Sequence, residues 1–326
     1  MGGDPGAVGL DKGKPVRARI YRPLLSAGHL WLGELVDKGG VKVRVKVLLD
    51  TDIGDDIDDA WALSFCLCHP KVELVGVTTV WGNTEIRAAL ARMLIERAGR
   101  RVEVVAGSRD GLDRHVALRR PVYAEALGPE EARLGKGRTD AIRFMAEMAR
   151  KYPGLVLLTI GPLTNAARFA VEFPEEFGLL SRHVMMCGHL IPGRAEPEYN
   201  AGCDPRATQI AFSTKVPKFV VGLDVTLKCQ LSEDDLRRLK AKGTPLSNAL
   251  FEMTRLWQRR TKGTPVMHDP LAAMSIVEEG VVEFEPMRVA VDESGRLKRV
   301  AGRPNVNFAV FVNPDLLRRR LLEVIG

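Results

Sequence analysis

Six aspartates fall within ten residues of this chain, directly after a run that predicts a buried strand. Residues 41–49 alternate between apolar and basic side chains and then become wholly apolar, as a strand entering a buried sheet does. The aspartates that follow are Asp50, Asp52, Asp55, Asp56, Asp58 and Asp59. Because so many like charges repel one another unless a cation neutralises them, and because carboxylates suit Ca²⁺ or Mg²⁺, the cluster predicts a divalent-cation site.

Helix capping explains only part of this cluster. Asp58 and Asp59 stand where first-turn acids favour the helix dipole, and an aspartate before a helix often caps it. Asp50 and Asp52 belong to the strand end instead, where open α/β sheets bind their ligands. A metal site is therefore favoured over capping alone.

Strand-like and helix-like segments alternate along the rest of the chain. After the first strand, strands are predicted over residues 72–80, 102–106, 155–160, 183–186, 219–221 and 308–312. Helices are predicted between them over residues 58–68, 84–98, 139–151, 163–172 and 205–212, and two more, over residues 232–242 and 247–261, form a cap beside the sheet. This alternation predicts an α/β fold with a Rossmann-like, mostly parallel central sheet flanked by helices.

Composition is that of an ordinary globular protein. The chain has 326 residues, 45% of them hydrophobic, which is enough for a sizeable core. No apolar run approaches the roughly 20 residues of a membrane-spanning helix, and the N-terminus lacks the apolar stretch of a secretory signal. Five cysteines without a CxxC pair fit structural thiols in a reducing compartment. We expect a cytoplasmic protein with an N-terminal extension of unknown role (residues 1–40) and a single α/β domain (residues 41–326).

The net charge of +7 raises the question of nucleic-acid binding. The basic residues are spread along the chain, for example Arg119-Arg120, Arg237-Arg238 and Arg259-Arg260, and they predict exposed helix faces. No aromatic-interleaved basic motif accompanies them. We therefore expect neither a nucleic-acid nor a membrane partner.

The aspartate segment, residues 50–63, resembles the N-terminal signature of the inosine–uridine-type nucleoside hydrolase family, a DxDxG…DD turn followed by Ala and an apolar helix. Aligned from the helix side, the resemblance implies that Asp58 binds ribose and Asp59 a metal. Asp52 then matches the metal ligand that is also the general base, and Asp50 supports this group.

This chain departs from the usual signature at two points. Ile53 stands where the family usually has Pro, and two extra residues precede the final aspartate pair. The insertion leaves open which of Asp55, Asp56, Asp58 and Asp59 fills each role.

Two later segments resemble further metal-binding elements of the family. His268-Asp269-Pro270 resembles its HDP element, which implies that Asp269 is a second metal carboxylate; an N-cap aspartate before Pro is the simpler role. Residues 160–165, Ile-Gly-Pro-Leu-Thr-Asn, resemble its TGPLTN turn, which implies that the backbone carbonyl of Ile160 binds the metal. A plain strand–turn–helix is compatible with the same residues.

Glu198-Tyr199-Asn200 resembles the EFN element of the family, which implies that Glu198 and Asn200 bind ribose hydroxyls. Asn83, after Gly82, matches a family GN pair and is a further substrate-binding candidate. The family's GN…TP lead-in before the EFN element is replaced here by residues 189–194, and a basic stretch within residues 107–137 replaces its His-Gly-rich segment. Base preference, and acceptance of deoxyribose or modified nucleosides, therefore do not follow from the resemblance.

The resemblance implies a nucleoside hydrolase fold and hydrolysis of the N-glycosidic bond of ribonucleosides to free base and ribose, with one Ca²⁺ per subunit. Asp52 is the expected general base. His268 either protonates or polarises the departing base or merely orients Asp269, two roles that the sequence favours equally. Trp81, Tyr199 and Trp257 are candidates for stacking on the base, although packing in the core or on the surface is favoured for Trp257, and Trp61 is a predicted core residue. The resemblance also implies a homodimer or homotetramer.

Two other functions are compatible with parts of the sequence. Asp50-Thr51-Asp52 after an apolar strand fits a haloacid-dehalogenase-type phosphatase, but the segments at residues 160–165 and 268–270 fit such an enzyme badly. A non-catalytic protein that binds a ribosyl ligand on the same scaffold is the second alternative. Retention of every metal-binding carboxylate argues for an enzyme.

Overall fold

The computed structural model describes residues 44–128 and 137–325. The predicted N-terminal extension over residues 1–40 lies outside these residues, and so does the start of the first predicted strand, residues 41–43.

The described residues form ten strands and twelve α-helices. The strands are β1 (Val45–Thr51), β2 (Val72–Thr79), β3 (Val104–Ala106), β4 (Val156–Thr159), β5 (Arg182–Met186), β6 (Lys218–Val221), β7 (Val282–Met287), β8 (Val289–Val291), β9 (Leu297–Arg299) and β10 (Val306–Val312). The helices are α1 (Asp58–Cys68), α2 (Thr84–Arg97), α3 (Ala141–Lys151), α4 (Thr164–Glu172), α5 (Pro174–Phe177), α6 (Tyr199–Cys203), α7 (Pro205–Ser213), α8 (Leu223–Thr226), α9 (Glu233–Ala241), α10 (Pro245–Thr261), α11 (His268–Met274) and α12 (Pro314–Val324).

An eight-stranded sheet with the order β3-β2-β1-β4-β5-β6-β10-β7 forms the centre of the molecule. Neighbouring strands run parallel from β3 to β10, and β7 pairs antiparallel with β10 at the edge. The small hairpin β8–β9 stands apart from this sheet. The predicted α/β fold with a mostly parallel central sheet is therefore confirmed.

The strand order reverses direction between β1 and β4. The chain moves from β1 outward to β2 and β3 on one side, then returns to β4 and moves outward on the other side. Asp50 and Thr159 pair across this junction, so both strands end at the same edge of the sheet. Ligands of open α/β sheets bind in the crevice at such a junction. The residues between β1 and α1, residues 52–57, lie there and are called the aspartate loop below.

The central strands are apolar because helices cover both faces of the sheet. Val47 and Leu49 of β1 pack on one face with residues of α1, α2 and α11, whereas Leu48 packs on the other face with α3 and α4. Ten of the eleven residues of α1 are buried. Because α1 lies against the sheet and α11, its N-terminus and that of α11 reach the junction together.

Predicted and observed elements agree best where periodicity is strong. Helix α1 has the predicted bounds, and α10 begins two residues earlier than expected because Thr244 caps it and Pro245 occupies its first position. The sequence reasoning missed α5, α6, α8 and α11, which are too short to show a helical period, and it also missed α12. It missed β7 as well, whose exposed glutamates alternate with apolar residues as on an edge strand. Among the described residues, no helix has the length and apolar character needed to cross a membrane.

Candidate active site

Three buried carboxylates converge at the N-termini of two helices. Asp58 and Asp59 begin α1, Asp269 is the second residue of α11, and each offers a carboxylate oxygen within 4.8 Å of the others. Burial raises the pKa of all three carboxyls well above the usual range, and repulsion from neighbouring aspartates raises it further. A cation relieves both effects because it compensates the charge inside the protein. This acidic cluster therefore fits a metal ion.

Backbone and hydroxyl groups orient these carboxylates. The N–H of Asp269 donates to Asp58 Oδ2 at 3.1 Å, so the start of α11 is tied to the start of α1. The hydroxyl of Thr51, the last residue of β1, donates to Asp59 Oδ1. The helix N-termini add the positive ends of two helix dipoles, which favour negative charge.

Asp52 lies at the start of the aspartate loop and packs against the turn that follows β4. A Cβ atom placed on Gly161 would come within 2.8 Å of Asp52 Oδ1 and 2.9 Å of the Asp52 nitrogen, so this position accepts little more than glycine. Burial raises the pKa of Asp52 to about 7, although the guanidinium of Arg87 opposes the shift. Asp52 is thus a buried carboxyl that holds a proton more tightly than an ordinary aspartate does.

Asp50 lies beneath Asp52 inside the sheet. Its Oδ1 accepts hydrogen bonds from the Thr78 hydroxyl at 2.6 Å and from the Asn165 amide at 2.8 Å. Its Oδ2 has no hydrogen-bond partner among the described residues, and burial raises the pKa of the carboxyl to about 7. The predicted supporting aspartate is therefore a fully buried group that connects β1, β2 and α4.

Glu198 and Asn200 hold the ends of β4 and β5 together. The Glu198 carboxylate accepts from the N–H groups of Gly188 and Asn200, each at 2.8 Å, and caps α6. Asn200 Nδ2 donates to the carbonyl of Ile160 at 2.9 Å and to that of Met186 at 3.1 Å. Both side chains are buried at the same edge as the carboxylate cluster, and their predicted contacts with ribose stay predictions.

His268 precedes Asp269 on α11 and contacts a hydroxyl rather than a carboxylate. Its Nδ1 lies 2.7 Å from Thr226 Oγ1. Burial, aided by the positive charge of Arg194, lowers the pKa of His268 to about 4, so the imidazole is neutral at neutral pH. A neutral ring with one nitrogen held by Thr226 leaves the other nitrogen for a second partner.

Asn83 lies at the N-terminus of α2, where its Oδ1 accepts from the N–H of Ile86 at 3.3 Å. This contact is that of a helix cap, and the predicted contact of Asn83 with substrate stays a prediction.

The predicted positions of the aromatic residues can be compared with their exposure in the structure. Trp61 and Trp257 are buried core residues, Trp81 is buried beside Val116 and Cys203, and Tyr199 is 58% exposed.

Several residues that organise the site escaped the sequence reasoning. Thr51 and Thr78 orient carboxylates, and both are ordinary strand residues by type. Asn165 belongs to the GPLTN turn, which is a recognisable motif, but the motif does not indicate its contact with Asp50. Arg87, a buried arginine of α2, touches the aspartate loop, and no local pattern marks it.

Buried aspartates thus lie at the junction of a mostly parallel α/β sheet, where proteins of this architecture bind their ligands. The model of the family described as inosine-uridine preferring nucleoside hydrolase matches residues 47–319. The chain belongs to the inosine-uridine preferring nucleoside hydrolase family, and it is an enzyme that hydrolyses nucleosides.

Individual relatives agree with this placement. Uridine nucleosidase 1 of Arabidopsis thaliana is 30% identical over 77% of this chain and 79% of its own length. Pyrimidine-specific ribonucleoside hydrolase RihA of Salmonella arizonae is 28% identical over 86% of this chain and 99% of its own length. The solved structure of a purine-preferring ribonucleoside hydrolase from Gardnerella vaginalis shares the fold, with a TM-score of 0.73, 24% identity and coverage of 86% of this chain and 98% of its own.

Proposed function

We propose that this nucleoside hydrolase splits the N-glycosidic bond of ribonucleosides with one Ca²⁺ bound at the sheet junction. The observation that carries the proposal is the convergence of three buried carboxylates, Asp58, Asp59 and Asp269, within 4.8 Å of one another. Burying three negative charges together is costly unless a cation compensates them, and a set of oxygen donors suits a hard cation.

Asp52, Asp59 and Asp269 would hold the ion, together with the backbone carbonyl of Ile160. The carbonyl of Ile160 accepts one hydrogen bond from Asn200 and keeps a second lone pair. Asp58, the third member of the acidic cluster, is left for the ribose hydroxyls in this assignment. When bound, the cation supplies positive charge that lowers the pKa of a coordinated water.

Asp52 would take the proton of the attacking water. Burial raises the pKa of its carboxyl, which makes the carboxylate more basic than that of an ordinary aspartate, and a bound cation would oppose this shift. General-base assistance of this kind contributes about 10²–10⁴-fold to the rate. The contact with Gly161 fixes where the carboxylate lies, so the proton is accepted at a defined place.

Asp58, Glu198 and Asn200 would hold the ribose. Their hydrogen bonds accelerate the reaction if they strengthen as the ring flattens and gains positive charge. Three N–H groups of the backbone already hold the Glu198 carboxylate, so its orientation is set before substrate binds. Preorganised groups of this kind avoid the cost of reorganisation during the reaction.

His268 would act on the departing base by donating a hydrogen bond from the nitrogen that faces away from Thr226. With a pKa of about 4 the ring carries no charge at neutral pH, which favours polarisation of the base over full proton transfer from an imidazolium.

Pyrimidine ribonucleosides are the proposed first substrates. Two sequence relatives are named for uridine or for pyrimidine ribonucleosides. The fold also carries purine preference in the Gardnerella enzyme, so the assay has to include both classes of base.

The test is chromatographic detection of free base released from uridine, cytidine, inosine, adenosine and guanosine. Each reaction is run with added Ca²⁺, with chelator, and with chelator followed by excess Ca²⁺. We expect release that chelator abolishes and Ca²⁺ restores, and that the Asp52→Asn variant lacks. Release that is equally fast in chelator would contradict the metal-dependent mechanism, and no release from any nucleoside would contradict the substrate assignment.

The remaining expectations also stay proposals. The five cysteines form no disulfide among the described residues, which supports a reducing compartment such as the cytoplasm. A homodimer or homotetramer is proposed from the family resemblance, and sedimentation velocity tests it. The family match begins at residue 47, within the proposed single domain over residues 41–326.

A further inference from the structure

One buried arginine connects the loops that follow β1 and β2. Arg87 lies in the first turn of α2 and is 3% exposed, with its side chain directed back toward the sheet edge. Its Nε donates to the carbonyl of Trp81 at 2.7 Å. Its Nη1 donates to the carbonyl of Ile53 at 3.1 Å and also to that of Asp52. The guanidinium therefore holds the backbone of the proposed general base rather than its carboxylate.

The remaining nitrogen of the guanidinium extends this connection to a third segment. Arg87 Nη2 donates to Asp55 Oδ2 at 2.7 Å, and Asp55 Oδ1 accepts from the N–H of Val122 at 3.3 Å. The N–H of Tyr123 donates to the carbonyl of Gly54 at 3.1 Å. Residues 107–122 are called the basic loop below. The last residue of the basic loop, Val122, thus contacts the aspartate loop, and Asp55 lies between the basic loop and Arg87.

Neighbouring groups stabilise the positive charge of Arg87 in its buried position. Burial lowers the pKa of the guanidinium, but the carboxylates of Asp52 and Asp55 more than offset this effect and leave the pKa above its usual value. A buried charge is tolerated when its donors are used, and Arg87 uses them in four hydrogen bonds. Its planar fork spans two loops in a way that a lysine ammonium does not.

Strain at Trp81 indicates that this arrangement has a purpose beyond packing. Trp81 has a φ of 71°, in the left-handed region that a bulky residue rarely adopts. Arg87 donates a hydrogen bond to the carbonyl of Trp81, and the N–H of Trp81 donates to the carbonyl of Ser108 at 2.8 Å. Backbone strain that surrounding contacts maintain is concentrated at active sites and ligand clamps.

We propose that Arg87 is a positioning residue for nucleoside hydrolysis, fixing the backbone of Asp52 and Ile53 in the working geometry, and that Asp55 links it to the basic loop. The inference rests on the proposed role of Asp52 as general base. Asp55 is a residue of the aspartate loop, so the Arg87–Asp55 pair stabilises this loop.

The first test compares Arg87→Lys and Asp55→Asn with the matched control Arg97→Lys, an exposed arginine of the same helix. Steady-state rates are measured at saturating Ca²⁺ with the nucleoside that the wild type hydrolyses fastest. Displacing a reacting group by about 1 Å costs roughly 100-fold, so we expect kcat of Arg87→Lys to fall roughly 10–100-fold. KM should stay within about 3-fold, because the lost interaction acts in the transition state. Asp55→Asn should lose roughly 3–10-fold in kcat, because an amide oxygen still accepts but carries no charge.

The second test does not depend on activity. Amide hydrogen exchange of the Ca²⁺-free proteins is followed by mass spectrometry. In Arg87→Lys we expect faster exchange in peptides that cover residues 52–59 and 80–82, with unchanged protection of β6 and β10. If Arg87→Lys does not fold, Asp55→Asn gives the same comparison with faster exchange at residues 52–59 and 121–123.

Chemical rescue distinguishes a positioning role of Arg87 from a role that only stabilises the fold. Arg87→Ala is assayed with and without millimolar methylguanidinium, and we expect the added cation to restore part of kcat while leaving the control variant unchanged. Unchanged kcat in Arg87→Lys, or unchanged exchange at residues 52–59, would overturn the proposal. If wild-type protein released no base, the proposed function would fail, and the exchange experiment would still decide whether Arg87 holds the loop.

Discussion

Two neighbouring regions of this molecule are built in different ways. At the sheet junction, aspartates lie at the ends of strands and the starts of helices, where hydroxyls and an amide hold their carboxylates. A buried guanidinium holds the backbone of the aspartate loop between them. The basic loop, residues 107–122, contains neither helix nor strand and is mostly exposed. Its described contacts with the rest of the site include the N–H of Leu112 on Asp204 Oδ2 at 2.9 Å.

The difference indicates how this enzyme divides its tasks. Catalytic groups need fixed positions, since small displacements cost large factors in rate, and the junction provides rigid elements for them. A loop over a rigid scaffold tolerates change and carries recognition. We therefore expect substitutions at the junction to abolish turnover, and substitutions in the basic loop to alter which nucleoside is preferred.

The largest expected effect is at Asp52. Asp52→Asn keeps the size of the side chain but removes its basicity, so kcat should fall about 10²–10⁴-fold. Rates are measured by base release at saturating Ca²⁺, with calorimetry to confirm that the ion still binds. A loss smaller than about 10-fold at full Ca²⁺ occupancy would remove Asp52 from the role of general base.

Loss of a carboxylate from the acidic cluster should weaken metal binding. Asp269→Asn replaces one buried charged ligand, and ligand charge strongly tunes Ca²⁺ affinity, so we expect roughly 100-fold weaker binding by calorimetry. Asp234→Asn, which changes an exposed aspartate of α9, is the control and should bind Ca²⁺ like the wild type. In the wild type, Ca²⁺ at about 100 times its Kd should stabilise the fold by about 2.7 kcal/mol, measured as a rise in Tm. If Asp269→Asn and Asp234→Asn bound Ca²⁺ with equal affinity, Asp269 would not be a ligand of the metal.

Gly161 tests how closely the turn after β4 confines Asp52. In Gly161→Ala the new Cβ would lie 2.8 Å from Asp52 Oδ1, so one of the two groups has to move. We expect roughly a 10-fold loss in kcat with a smaller change in KM. Thermal unfolding checks that the variant is folded, and wild-type kcat in a folded Gly161→Ala protein would show that the catalytic geometry tolerates the displacement.

The smallest expected effect is in the basic loop. Arg114 Nη1 lies 3.4 Å from the carbonyl of Cys203, at the side of the site where Trp81 and Val116 pack. Arg114→Ala should change the ratio of kcat/KM for uridine and inosine by about 3–10-fold while Ca²⁺ affinity stays the same, because a single pocket contact discriminates by such factors. If kcat/KM fell equally for uridine and inosine, the basic loop would contribute to catalysis rather than to substrate preference. The proposed division of tasks between the junction and the basic loop would then be wrong.

The fold was largely predictable because strands and helices here have clear periods. The apolar run at residues 47–49 and the mostly apolar α1 indicated a sheet covered on both faces, as observed. The edge strand β7 and the short helices α6 and α11 were not predicted. The two helices contain few residues, and the position of α11 depends on a long-range contact, the hydrogen bond from the Asp269 N–H to Asp58. Strand β7 lies at the edge of the sheet and alternates exposed glutamates with apolar residues.

The site was predictable to the extent that its residues lie in motifs. Asp269 lies 211 positions after Asp58 in the chain. The resemblance placed both of them, with Asp59, at one site, and the structure brings the three carboxylates within 4.8 Å of one another. Arg87 was not predictable, because one arginine on a helix usually faces solvent and only the tertiary fold shows it buried. The contact between Asp50 and Asn165 joins residues 115 positions apart and depends equally on the fold.

The proposed mechanism requires that the aspartates at the sheet junction hold the cation needed for catalysis. A crystal structure of the protein grown with Ca²⁺ tests it most directly, with anomalous scattering to identify the ion. We expect a Ca²⁺ about 2.3–2.6 Å from oxygens of Asp52, Asp59 and Asp269 and from the carbonyl of Ile160. Fully active crystals in which these oxygens hold only water, or bind an ion without Asp52 and Asp269, would contradict the account.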